Sequence, residues 1–155
     1  MIYRLGILAY RRGDYEEAQR RYQHSLQIFE RLGDQVWMAN SYGQLGILAQ
    51  DRGDYEEAKR RYQLVLRIFE RLGDQDGMAT SYHRLGILAQ ERGKSGEAER
   101  RYQQALQIFE QLDEQDGMAN SYGQLGILAQ DRVITRRPSV AISRPCRSSS
   151  DWVTR

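Results

Sequence analysis

The sequence repeats itself with a period of 40 residues, which restricts the chain to a fold built from copies of one unit. The segment MANSYGQLGILAQDR at 38–52 recurs unchanged at 118–132, and a close variant occupies 78–92. The other half of the unit repeats in step, with GDYEEA at 13–18 and again at 53–58. Because such a unit cannot bury its apolar face alone, neighbouring copies are expected to stack into one continuous core.

Each unit is predicted to form a first-type helix followed by a second-type helix. In the second-type helix, apolar residues recur three and four positions apart, which places them on one helix face. In the second unit these residues are Ala58, Tyr62, Val65, Leu66, Phe69 and Leu72. Asp54 can cap the start of this helix, and Gly73 suits the left-handed residue that ends it. The next first-type helix is predicted to run roughly from Met78 to Arg92, with Gly86 allowing close approach of its partner.

The third unit departs from this pattern at the start of its second-type helix. Where the other units have Asp-Tyr-Glu, it has Lys94, Ser95 and Gly96. It therefore loses a capping side chain, an aromatic ring and a good helix former together. We expect the start of this helix to fray.

The fold class predicted from these patterns is all-α, with about seven helices. Antiparallel helix pairs are expected to stack into an α-solenoid that covers residues 1–132. Its units lie at approximately 1–35, 36–75, 76–115 and 116–132, the last being partial. Since the first residue falls inside a first-type helix, we expect the chain to be a piece of a longer array within a larger scaffold or regulator.

The second unit resembles the tetratricopeptide repeat (TPR) signature. The matching residues are Tyr42, Leu45, Gly46 and Ala49, followed by Gly53, Tyr55, Ala58 and Tyr62. The resemblance covers about residues 2–132, with a tyrosine in place of the usual tryptophan and a period of 40 residues in place of 34. Longer periods are typical of the kinesin light chain and G-protein-regulator scaffold subclasses. The resemblance implies a right-handed superhelix whose first-type helices line a concave groove for a partner protein or peptide.

The same resemblance implies which side chains line the groove. They are Asn40, Gln44, Ile47, Asp51, Thr80, His83, Arg84, Ile87, Glu91, Asn120, Gln124 and Ile127. This isoleucine ladder, flanked by amides and a few acids, suits a peptide with apolar anchors beside amide or basic groups. The alternative, that the isoleucines simply pack between helices, stays open.

One ligand known for the family is not expected here. Family members that hold a partner's C-terminal carboxylate use lysine and asparagine at two groove positions. In this chain those positions hold the pairs Gly43/Ile47, His83/Ile87 and Gly123/Ile127. The carboxylate clamp is therefore predicted to be missing.

Catalytic and metal-binding chemistry find no support in the residue pattern. The two histidines, His24 and His83, belong to different units, and no carboxylate cluster has the spacing of metal ligands. Cys146 is the single cysteine and has no neighbouring base in the sequence to activate it. We expect no enzymatic activity, no metal site and no cofactor.

Residues 133–155 differ in character from the repeats. They hold five of the 23 basic residues and one of the 21 acidic residues, so residues 1–132 carry a net charge of −2. With prolines, serines and no helical periodicity, this tail is predicted to be irregular. Its arginines support an alternative function, binding to nucleic acid or to an anionic membrane.

The tail also reads as the product of a frameshift. Every tail residue admits a codon that, regrouped by one base, restores GDYEEAERRYQQALQIFERLGDQ in register with the repeat. For example, Val133, Ile134 and Thr135 can be encoded by GTG ATT ACG. When the last G of the Arg132 codon is placed in front and the bases are regrouped, they read GGT GAT TAC, which encodes Gly-Asp-Tyr. Trp152 has one codon only and still fits. On this interpretation the arginines of 133–155 were never selected for charge, and the last first-type helix exposes an apolar face open to self-association.

The function predicted from the sequence is therefore a protein-interaction module that binds a partner of unknown identity in its groove. No apolar run approaches the roughly 20 residues of a membrane span, and the N-terminal residues lack the pattern of a signal peptide. We expect a cytoplasmic protein that binds neither membrane nor nucleic acid.

Overall fold

The computed structural model describes residues 1–136, which form seven α-helices joined by short links. They are α1 (Ile2–Arg11), α2 (Tyr15–Leu32), α3 (Gln35–Asp51), α4 (Tyr55–Leu72), α5 (Gln75–Glu91), α6 (Ser95–Gln111) and α7 (Gln115–Arg136). Each helix packs against the next along the chain, and residues 1–136 contain no strand. The predicted all-α solenoid is confirmed. Helices α1, α3, α5 and α7 are the first-type helices, and α2, α4 and α6 are the second-type helices.

The ends of the helices follow the capping pattern predicted from the sequence. At the start of α4, the Asp54 side chain accepts a hydrogen bond from the Glu57 amide at 3.2 Å. Gly73 ends the helix with a φ of +66°, as the left-handed position requires. Helix α5 begins at Gln75, three residues earlier than predicted, because Asp74 caps the amide of Gly77 at 3.0 Å.

Helix α6 shows the expected loss of its cap. Lys94 stands at the capping position and makes no side-chain hydrogen bond to the helix. The helix nevertheless begins at Ser95, the position equivalent to Tyr55 in α4, and Ala98 at its start is fully buried. Packing of the apolar stripe therefore fixes the start of this helix without help from a cap.

Glycines on the first-type helices receive tyrosine rings from the second-type helices that follow. A β-carbon placed on Gly46 would lie 2.6 Å from Cε1 of Tyr62, and one on Gly86 would lie 2.6 Å from the same atom of Tyr102. Gly6 stands in the same relation to the ring of Tyr22. Distances this short are well inside van der Waals contact, so only glycine fits. The close approach predicted at Gly86 is confirmed, and we call each such pair a glycine–tyrosine contact.

A second set of glycines brings α5 and α7 close to the second-type helices that precede them. A β-carbon on Gly77 would lie 2.5 Å from the ring of Phe69, and Gly117 meets Phe109 in the same way. In α3 the equivalent residue is Trp37, which instead stacks on Phe29 with the ring centres 5.4 Å apart. Aromatic rings therefore pack on both sides of α3 and of α5.

Helix α7 continues to Arg136, four residues beyond the predicted end of the array. Residues 133–136 contain no helix breaker, and the Thr135 hydroxyl donates to the carbonyl of Asp131 at 3.0 Å. The first four residues of the predicted irregular tail are thus helical. The frameshift interpretation and the basic-arm alternative bear mainly on 137–155, which lie outside the described residues. No helix within 1–136 is long and apolar enough to cross a membrane.

Restoring the cap of α6 should stabilise the protein. We predict that Lys94→Asp raises the free energy of unfolding by about 0.5–2 kcal/mol. The new carboxylate can accept a hydrogen bond from the backbone amide of Glu97, and its negative charge is attracted to the positive N-terminal end of the helix. Urea denaturation and hydrogen exchange at Glu97 measure this. Lys94→Ala is the matched control, and equal stability of the two variants would contradict the prediction.

Alanine substitutions at two equivalent glycines should have opposite effects. Gly86→Ala should lower the free energy of unfolding by about 1–3 kcal/mol, since the methyl group overlaps the ring of Tyr102. At Gly126 of α7 a β-carbon meets nothing within 4 Å, so Gly126→Ala should raise it by about 0.5–1 kcal/mol through helix propensity. Denaturant midpoints of both variants test this, and a shift of the same sign in both would refute it.

Candidate functional site

Two neighbouring cavities open along the first-type helices and form one continuous groove. The upstream cavity, about 320 Å³, lies between α1, α3, α4 and α5, and its lining includes Tyr3, Asn40, Gln44, Tyr62, Phe69 and Asp76. The downstream cavity, about 380 Å³, reaches α7, and its lining includes His83, Ile87, Phe109, Glu114, Asp116 and Asn120. Thr80 and Arg84 line both cavities, which makes the groove continuous across α5.

Seven of the twelve residues predicted to line a groove lie on these walls. Asn40 and Gln44 line the upstream cavity, and Thr80 and Arg84 line both. Three more line the downstream cavity: His83, Ile87 and Asn120. The other five line neither cavity: Ile47, Asp51, Glu91, Gln124 and Ile127.

The isoleucine positions contribute to packing between units. Ile47 is half-buried against the core cluster that holds Tyr62 and Leu85. Ile87 packs in the same way against the following cluster, although it also reaches the downstream cavity. Ile127, on the last of the described helices, is 46% exposed. Of the three, only Ile87 combines packing with a place in the groove wall.

Acidic residues at the ends of the first-type helices join neighbouring units by hydrogen bonds. The Tyr10 hydroxyl donates to Asp51 at 2.7 Å, and this contact raises the pKa of Tyr10 to about 12. Gln50 donates from Nε2 to Glu91 at 2.8 Å, while its Oε1 accepts from the Tyr62 hydroxyl at 2.8 Å. The carboxylates of Asp51 and Glu91 therefore each accept a hydrogen bond from the preceding unit, and neither residue lines the cavities.

Arg84 is the cation at the centre of the groove. It makes no ion pair with any residue of the described part of the chain, and its side chain is half-buried. Burial lowers the pKa of the adjacent His83, and the Arg84 charge lowers it further. Among the described residues that line the groove, Arg84 is the one with a fixed positive charge, and the amides of Asn40 and Gln44 lie in the same wall.

Carboxylates border the groove at the N-terminal ends of α5 and α7. We call Asp74, Asp76, Glu114 and Asp116 the acidic rim; the first two line the upstream cavity and the last two the downstream cavity. Burial raises the pKa of Glu114, and a hydrogen bond with Asp76 together with the nearby negative charges raises it further. Crowded carboxylates of this kind favour a cation between them.

Sequence reasoning missed this rim and the tyrosines of the upstream cavity. The family geometry directs attention to the middle of the first-type helices, whereas the rim lies at their starts. A signal was present, since Asp74 and Glu114 are 40 residues apart, as are Asp76 and Asp116. No three His, Cys, Asp or Glu side chains within 1–136 are placed to hold a metal ion.

Comparison with known proteins identifies the architecture. The family model described as "Tetratricopeptide repeat" matches residues 1–71, 37–111 and 77–132. Among solved structures, BtubC (BKLC) from P. vanneervenii is 27% identical with a TM-score of 0.75, covering 84% of this chain and 54% of its own. The apo form of RapI is 17% identical with a TM-score of 0.78, covering 86% and 48%.

A putative kinesin light chain from Podospora anserina with nearly identical TPR-like repeats is 20% identical, with a TM-score of 0.70 and coverage of 85% and 65%. At such low identity, the RapI and kinesin light chain structures show the fold alone. This chain spans about half the length of BtubC and of RapI. No curated protein matches it in sequence. The family matches together span residues 1–132, and the chain belongs to the tetratricopeptide repeat family.

Proposed function

We propose that this chain is a protein-interaction module whose groove binds an extended segment of a partner protein. Protein–protein interaction is the general role of tetratricopeptide repeats, and the two joined cavities supply a surface for it. The groove mixes apolar walls at Phe69 and Ile87 with amides and charges, as peptide sites commonly do.

The observation that carries the proposal is the position of Arg84. A half-buried arginine without a carboxylate partner is costly, and an acidic group of a ligand would satisfy its fork of donors. Because Arg84 lines both cavities, a ligand that crosses the groove passes it. The amides of Asn40 and Gln44 lie in the same wall and can bond the backbone of an extended segment.

The acidic rim adds a second charge requirement at a defined distance. Asp76 and Arg84 are eight residues apart on α5, which corresponds to about 12 Å along the helix. An extended peptide covers that distance in roughly three to four residues. We therefore expect the partner segment to carry a basic side chain at the rim and an acidic one three to four residues away at Arg84, with apolar side chains between them.

Selection of displayed 12-residue peptides on the full chain tests this. We predict that enriched peptides pair a basic and an acidic residue at this spacing, and that Arg84→Glu weakens their binding about ten- to hundredfold, as loss of a charged hydrogen bond would. Arg100→Glu is the matched control, because this substitution makes the same change of charge at a residue that lines neither cavity. Affinities are measured by fluorescence anisotropy.

A charge exchange makes the test specific. A selected peptide whose acidic residue is replaced by lysine should bind the Arg84→Glu protein better than the original peptide does. If Arg84→Glu and Arg100→Glu weaken binding equally, or if the exchanged peptide shows no recovery, the groove is not the binding surface described.

A further inference from the structure

Helix α7 carries a copy of the surface by which α3 and α5 hold their second-type helices. On α3 this surface is formed by Tyr42, Gly46 and Ala49, and on α5 by the residues 40 positions later. Its counterpart on α7 is Tyr122, Gly126 and Ala129, all of which are exposed. We call these three residues the α7 seat.

The α7 seat is open where the equivalent positions are filled. Gly46 and Gly86 are buried, each under a tyrosine ring 2.6 Å from the position of a β-carbon. Gly126 has nothing within 4 Å of that position. Tyr122 is 54% exposed, whereas its counterparts Tyr42 and Tyr82 are half-buried. The surface that the rest of the array buries between helices therefore faces outward on α7.

The filled contacts define the chemistry of the occupant. Each second-type helix presents an alanine, then an arginine three residues later, then a tyrosine: Ala58, Arg61 and Tyr62 in α4. The tyrosine ring covers the glycine, and the alanine is fully buried. The arginine lies over the tyrosine of the first-type helix, with Arg61 5.5 Å from the ring centre of Tyr42. The occupant is thus an amphipathic helix with the pattern Ala-x-x-Arg-Tyr.

Within residues 1–136, every helix with this pattern is already packed in the array. The tyrosines of its three second-type helices, Tyr22, Tyr62 and Tyr102, are at most 1% exposed, so a folded second copy has none available. Residues 137–155 contain no tyrosine. Residues 1–155 therefore supply no occupant of this kind, and a helix of another polypeptide can take the place.

We propose that the α7 seat binds an Ala-x-x-Arg-Tyr helix of another polypeptide, which extends the solenoid by one helix in trans. The contact continues the interfaces already formed between α3 and α4 and between α5 and α6. It uses residues of α7 other than those in the groove wall, so it does not depend on the peptide binding proposed above.

A synthetic helix from this chain tests the proposal. The probe is a fluorescein-labelled peptide with the sequence of residues 53–74, which has the Ala-x-x-Arg-Tyr pattern with both caps. It should bind the full chain saturably and gain helix content, measured by anisotropy and circular dichroism, since a lone helix of this length is marginal in water. Replacing the tyrosine that corresponds to Tyr62 by alanine should weaken binding about tenfold or more, as loss of a buried ring would.

Two protein variants locate the binding site. Gly126→Leu fills the α7 seat and should weaken binding at least about tenfold, while its open surroundings leave the fold intact. Gly123→Leu is the matched control, because Gly123 is also open and exposed, and its affinity should stay within about twofold. Arg84→Glu, the groove variant, should leave binding unchanged. Thermal melts verify that all three variants fold.

Three results would overturn the proposal. The first is no saturable binding, and the second is equal weakening by Gly126→Leu and Gly123→Leu. The third is a dimer of the full chain, detected by light scattering, that Gly126→Leu converts to monomer, because a second copy would then occupy the seat.

Discussion

The glycine–tyrosine contact is the constraint on which the array depends. A tyrosine ring from each second-type helix rests on the bare backbone of the first-type helix before it, at Gly6, Gly46 and Gly86. The absence of a side chain at these glycines sets the distance between the paired helices, and the buried ring fills the space that results. The contact recurs every 40 residues, in step with the repeat of the sequence.

The recurring contact also explains how side chains are arranged on successive first-type helices. Pairs of helices held in one geometry stack in register, so side chains at equivalent positions of successive first-type helices fall into rows. One row brings Asn40, Thr80 and Asn120 to the groove wall. Another joins the units through Asp51 and Glu91. In such a fold, the rows that are not used in contacts between units are the ones available to bind a partner.

Much of this architecture could be predicted from the sequence, because it depends on local chemistry. The cap at Asp54, the left-handed Gly73 and the close approach at Gly86 each follow from residue type and spacing. Helix α7 was predicted four residues too short, because its end was placed where the repeat pattern stops. The helix continues to Arg136 because none of the residues after that point in the pattern and before Pro138 breaks a helix. The acidic rim was missed because it forms only when α5 and α7 lie side by side, which brings Asp76 to Glu114. The use of Glu91 between units likewise depends on tertiary contact.

A double-mutant cycle at Gly46 and Tyr62 tests the central claim most directly. Gly46→Ala, Tyr62→Leu and the double variant are unfolded in urea, and their free energies of unfolding are compared. If the ring on the bare backbone sets the helix spacing, Gly46→Ala should be costly with Tyr62 present and nearly neutral with leucine, giving a coupling of about 1–3 kcal/mol. Costs that add to within about 0.3–0.5 kcal/mol would contradict the account, because the two residues would then act independently.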